Sequence, residues 1–153
     1  ERGCARRACV LRAGSRDVLS MTLAYAFDTN FCIRVLRDRP PSLRQRFNAE
    51  AEGLSISTVV LSELVFGAGR SARPAHNRAE VARFAARLAV LPFDEEAAAH
   101  AADIRAVLAA NGQSIGGYDA LIAGHARSRG LIVITGNLHE FRRVDGLRCE
   151  DWG

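Results

Sequence analysis

The stretch LIVIT, residues 131–135, is apolar up to its last residue and too short for a stable helix, so it reads as a buried strand. It is one of several short apolar runs that alternate with segments of helical period. Residues 23–27, LSIS (54–57), VLPF (90–93) and LRCEDW (147–152) read as the other strands. Residues 30–37 read as a helix closed by RDRPP (37–41), because two prolines cannot continue it. Ser42 is placed to cap a helix over 43–52 that Gly53 ends. TVVLSELVFGAG (58–69) puts Val60, Leu61, Leu64 and Val65 near helical period, and RAEVARFAARLAVL (78–91) puts Val81, Phe84, Leu88 and Leu91 on one face before Pro92. Asp94 caps a helix with Glu95 and Glu96 in its first turn, where the dipole favours acids, and Asn111-Gly112 stops it after Leu108. SIGGYDALIAGHARSRG (114–130) is a loop feeding one more helix.

Strands that alternate with helices imply an α/β fold: a mostly parallel sheet, covered on both faces, in three α/β/α layers. With 48% hydrophobic and 25% charged residues, 153 residues support one real core. Residues 1–20 are expected to be a leader, disordered or non-native, because Met21 is the only methionine and a strand-like run follows it. Arg12 and Arg16 interrupt any signal-peptide core there. The domain is then 21–153. No run approaches the roughly 18 apolar residues of a membrane span, so the expected location is cytoplasmic.

The net charge of +4 is unevenly spread. The leader holds five arginines and two acids, whereas the remainder holds 16 arginines against 15 acids. A basic balance is therefore weak grounds for nucleic-acid binding. Every basic residue is arginine, which excludes Schiff-base and P-loop lysine chemistry while leaving phosphate recognition open. Cys4, Cys9, Cys32 and Cys149 lack the paired spacing of a zinc or redox motif and read as reduced, structural thiols.

In an open parallel sheet, ligands bind beyond the carboxyl ends of the strands. Asp28 ends the first strand, Glu63 lies in the helix after the second, Asp119 opens the helix after SIGGY, and Asn137 follows LIVIT by one residue. Singly, Asp28 or Asp119 reads as a helix cap, Glu63 as a solvated side chain, and Asn137 as a turn residue. Together they form a candidate carboxylate cluster, which does not stay ionised without a cation, and oxygen-only ligands select Mg²⁺, with Mn²⁺ as a substitute.

FDTN (27–30), STVVLSELVFGA (57–68), IGGYDALIAGHARSRGLIVITGNLHEF (115–141) and V-x-G-L-R-x-x-x-W (144–152) resemble PIN-domain nucleases, and in particular the VapC toxins of toxin–antitoxin pairs. The resemblance spans nearly all of 21–153. It implies that Asp28, Glu63 and Asp119 are the family's three acids and Asn137 its fourth position. Thr29 and Asn30 complete the first motif, Asn30 as a supporting residue, and Thr135 matches the small hydroxyl before the fourth position. Two departures stand out: Gly117 occupies a position where proline is expected, implying a looser loop, and Asn137 adds no charge, implying a weak second metal.

The resemblance implies a Mg²⁺-dependent endoribonuclease. Asp28 and Asp119 would ligate metal directly, Glu63 would bind it through water or orient the attacking water, and Asn137 would hold a second ion or bridging water. Its implied partners are RNA (tRNA or rRNA), a VapB-like antitoxin and a second copy of the chain, with the apolar helices over 29–69 as docking surfaces. Arg127, Arg129, Arg142 and Arg143 are RNA-contact candidates or simply solvated. His125, six residues past Asp119, faces elsewhere and reads as structural or partner-facing. The competing reading is a non-catalytic RNA-binding or interaction module on the same fold, and a DNA-directed or structure-selective nuclease is a second. GAGRSA (67–72) follows a helix and is no dinucleotide fingerprint, and DTN lacks the second aspartate and the lysine of a phosphatase.

Overall fold

Strands β1 (Tyr25–Phe27), β2 (Leu54–Ser57), β3 (Ala89–Leu91), β4 (Ile132–Ile134) and β5 (Cys149–Glu150) form one parallel sheet in the order β3-β2-β1-β4-β5. The computed structural model describes residues 23–153; the expected leader and Met21 lie outside them. The helices are α1 (Thr29–Leu36), α2 (Pro41–Ala49), α3 (Thr58–Gly69), α4 (Pro74–Ala85), α5 (Glu95–Ala110), α6 (Gly117–Arg129) and α7 (Leu138–Phe141), with a single 3-10 turn at Ala51–Gly53.

Successive strand residues point to opposite faces. Ala26 and Phe27 are both buried, as are Val133 and Ile134 and all of β2. Both faces of the sheet are therefore covered, giving the expected three-layer α/β/α arrangement. Under one face Phe27 packs against Phe31 (centroids 4.9 Å apart) and edge-on to Trp152 (5.7 Å), while Phe47 stacks on Phe84 (5.3 Å). Each such ring contributes roughly 1.5–3 kcal/mol through burial.

Helices α5 and α6 approach so closely that a Cβ at Gly124 would lie 2.5 Å from the Ala101 nitrogen and 2.6 Å from its Cα. Only hydrogen fits there. Asp94 caps α5 as expected, accepting from the Ala97 N–H at 3.0 Å.

Several boundaries differ from the sequence expectation. The helix expected over 78–91 spans Pro74–Ala85, and Leu91 belongs to β3, opposite Ser57. Val81 and Phe84 do face the core; Leu88 and Leu91 continue the same period by coincidence after the helix has ended. Helix α2 starts at Pro41 without a side-chain cap, because proline's fixed φ suits the first helical position better than Ser42 suits the cap. Val65, expected on the buried side of α3, is 43% exposed. The last strand shrinks to two residues because Trp152 leaves the sheet edge for the core. Helix α7 had no sequence signal: four residues carry too little period.

Candidate active site

The carboxyl ends of β1 and β4 meet at one rim. Asp28 directly follows β1, and its N–H continues the ladder by donating to the Ile134 carbonyl at 3.2 Å. Its carboxylate is 2% exposed and fixed at both oxygens. Oδ1 accepts from the Phe31 N–H at 2.7 Å, capping α1, and Oδ2 accepts from the Thr135 hydroxyl at 2.5 Å. The cap reading and the site reading of Asp28 thus hold together, one oxygen each. The Thr135 oxygen in turn accepts from the Asn137 N–H at 2.8 Å, so Thr135 ties β1 to the fourth position.

Glu63, half-buried on α3, accepts through Oε2 from the Thr29 hydroxyl. Thr29 was part of the recognised motif, but its role in joining the first acid's helix to the second acid had no sequence signal. Asp119 sits in the first turn of α6 and caps nothing; Gly116 occupies the cap position. Its carboxyl lies near that of Glu140 on α7, close enough to raise its affinity for a proton. Glu140 is a further acid that sequence reasoning missed, since in LHEF it reads as one more surface charge. Asn30 is exposed, and its side chain makes no hydrogen bond to these acids among the described residues. The bracing expected of Asn30 is provided instead by Thr135.

The acids feel one another. Burial pushes the Asp28 carboxyl above its usual range; the Thr135 and Phe31 bonds and the Arg34 charge pull it back, and Glu63 adds to the rise. Asp119 is pushed up to about 6, first by burial, then by the negative charges of Asp28, Glu140 and Glu63. Burial is the larger cause at both groups, and the neighbouring carboxylates add to it. The donor set fits a hard divalent cation: every candidate ligand atom is oxygen, and the core carboxylate is held in place from outside the site. Closure of the site is another matter. Among the described residues, no three Asp, Glu, His or Cys side chains stand close enough to share one ion. Asp28, Glu63 and Asp119, expected to share one ion, stand near enough for their charges to act on one another but not at a common ligand distance.

The arginines set aside for RNA divide differently from expectation. Arg127 is not solvated: it donates to His100 Nδ1 at 2.9 Å, to the Asp145 carbonyl at 3.1 Å and to Asp103 at 2.7 Å, clamping α6 to α5. Arg129 pairs with Asp94 at 3.5 Å. Arg143 donates to the Ser114 carbonyl at 3.2 Å, which ties down the loop that Gly117 was expected to loosen. Arg142 is exposed. His125 is 1% exposed, and its burial pushes it down to about 4, so it is structural and uncharged. Cys32 and Cys149 are free thiols, the former fully buried; Cys4 and Cys9 lie outside the described residues.

Residues 25–147 match the family model described as PIN domain. A protein of Shigella flexneri named tRNA(fMet)-specific endonuclease VapC is 48% identical over 130 residues, covering 85% of this chain and 98% of its own. Ribonuclease VapC2 of Haemophilus influenzae (strain Rd) is 42% identical over the same shares. A solved structure of DNA-bound VapBC from Salmonella typhimurium superposes with a TM-score of 0.83 at 47% identity, covering 86% of this chain and 99% of the other. VapBC2 from Rickettsia felis, bound to a DNA fragment from its promoter, gives 0.81 at 29% identity, covering 86% and 100%.

Proposed function

The chain belongs to the PIN domain family, among ribonucleases of the VapC type, and from that premise we propose that it is the endoribonuclease toxin of a toxin–antitoxin pair, cutting cellular RNA with the help of a divalent metal ion. Mg²⁺ is the ion the oxygen donors favour, with Mn²⁺ as a substitute. The single observation that carries the reading is the pair Asp28 and Asp119. One is buried and oriented by two hydrogen bonds, the other is raised to about 6 partly by the first, and both stand at the rim where the sheet presents ligands.

When bound, the ion supplies charge neutralisation at the scissile phosphate and a water acidic enough to attack it. Asp28 and Asp119 would hold it directly. Glu63, oriented by Thr29, would position the attacking water, and Glu140 adds negative charge beside Asp119. Asn137 offers a neutral amide for a second ion or a bridging water, and Thr135 keeps Asp28 and the Asn137 backbone in register. Asn30, exposed beside Thr29, is kept as a supporting residue of the same motif.

The relative at 48% identity is named for tRNA(fMet), so initiator tRNA is the first substrate to test. The neighbouring structures are VapBC complexes, so a VapB-like antitoxin is the proposed partner, and a second copy of the chain is the other. Phe66 and Val65, 64% and 43% exposed on α3, support docking on that helix. Among the described residues no helix is long and apolar enough to cross a membrane, consistent with the proposed cytoplasmic site of action.

The test is cleavage of initiator tRNA, ribosomal RNA and a DNA control by purified protein with Mg²⁺, Mn²⁺ or EDTA. Cleavage of RNA that EDTA abolishes, and that D28N and D119N lower by about a hundredfold or more, is expected. Wild-type rates in either variant would remove the site assignment; no cleavage with either metal would favour a non-catalytic module.

A further inference from the structure

We infer that Arg34 is a substrate-binding residue whose guanidinium takes a phosphate of the RNA strand lying beside the acid site. This rests on the ribonuclease reading above and adds a contact to it.

Arg34 lies in the last turn of α1, the helix that Asp28 caps. The guanidinium reaches across to the rim: a Cβ added at Gly136 would sit 3.0 Å from its Nη1. Gly136 stands between Thr135, which holds Asp28, and Asn137. The charge is felt at Asp28 itself, where it opposes the effect of burial. Arg34 is therefore a cation beside Asp28, on the rim that also carries Gly136 and Asn137.

Its present partners are weak ones. Asp151 is 3.9 Å away, and both side chains are about a third exposed, at 33% and 36%. Exposed pairs of this kind add little to stability. The remaining contacts are the Gly153 carbonyl, which accepts from Nη2, and the Phe31 ring, 6.0 Å from the guanidinium carbon. Arg127, by contrast, is committed to a carboxylate at 2.7 Å and to three further acceptors. Arg34 has a planar donor fork and no buried partner to abandon.

The rim acids would repel a polyanion, and a single bound ion would offset only part of their charge. A guanidinium at the rim pairs bidentately with a phosphate and offsets that repulsion where the strand enters.

The experiment compares D119N with D119N/R34Q and D119N/R34K, so that RNA is bound without being cut. Binding of a fluorescein-labelled 20-nucleotide single-stranded RNA is read by anisotropy in Mg²⁺ from 50 to 300 mM KCl. R34Q is expected to weaken binding about tenfold and to flatten the slope of log K against log salt by about 0.7, the share of one phosphate contact on a single strand. R34K is expected to restore the slope and only part of the affinity, since lysine cannot fork. Equal affinity and slope in R34Q, with a lowered thermal midpoint, would mean that Arg34 only tethers the residues after β5, and would overturn the inference. The ribonuclease reading fails separately, when unmodified protein with Mg²⁺ leaves RNA uncut.

Discussion

Replacing Asp119 with asparagine is expected to make the metal-free protein more stable. In the fold the carboxyl is raised from 3.8 to about 6, by burial and by Asp28, Glu140 and Glu63. At pH 7.5 it is ionised in both folded and unfolded chains, so the shift measures how much the folded state disfavours the charge. Two units correspond to about 3 kcal/mol as a ceiling, and screening at a half-buried group reduces this to about 1.5 kcal/mol. Asparagine removes the charge and offers Glu140 an N–H donor that the carboxylate lacks. The sign with pH follows from the raised folded value: the neutral form's stability is fully present below 3.8, and it is lost as pH rises through 6. The advantage of D119N is therefore greatest at neutral pH and vanishes near pH 4. The assay is urea unfolding of both proteins in EDTA at half-unit steps from pH 4 to 8. A midpoint rise of about 0.5–1 M is expected at pH 7.5, and added Mg²⁺ is expected to stabilise wild type and not the variant. If D119N is no more stable at pH 7.5, or its advantage is the same at every pH, the acids do not strain one another and the electrostatic case for a cation fails.

T135V is expected to lose about 1.5–3 kcal/mol in thermal unfolding, because a buried carboxylate loses its hydroxyl donor, and to cleave RNA slowly because Asp28 is freed. G124A drives a methyl into the Ala101 backbone at 2.5 Å and should destabilise by at least about 2 kcal/mol, read as a lowered urea midpoint with unchanged cleavage per folded molecule. His125, held at about 4 against an ordinary 6.5, should withdraw up to about 3 kcal/mol as pH falls through that window, because the unfolded chain takes up the proton first. Asp119 works in the opposite direction over nearly the same range, so the acid loss should be steepest in D119N and absent in D119N/H125Q, measured by thermal midpoint against pH.

The sheet was largely readable because its strands are buried on both faces: LIVIT and LSIS have no polar alternation to confuse with anything else. Asp28 was readable for the complementary reason, as a charge that interrupts an apolar run where the strand must end. Glu140 and Thr29 were not readable, since their roles are contacts across 21 and 34 residues of sequence, to Asp119 and Glu63. Arg127 misled because a long polar side chain near a helix end looks solvated until the neighbouring helix supplies acceptors. The boundary at Ala85 misled because Leu88 and Leu91 happen to continue the period of the helix before them.

The Thr135 hydroxyl that steadies Asp28 lies 107 residues further along the chain. A ribosome making this protein therefore emits Asp28 well before its brace, and the carboxylate lacks that hydroxyl until β4 has left the exit tunnel and paired with β1. The proposed activity therefore waits on the synthesis of β4. A ribosome-tethered chain halted at residue 130 should leave RNA intact, whereas one released at full length should cut it.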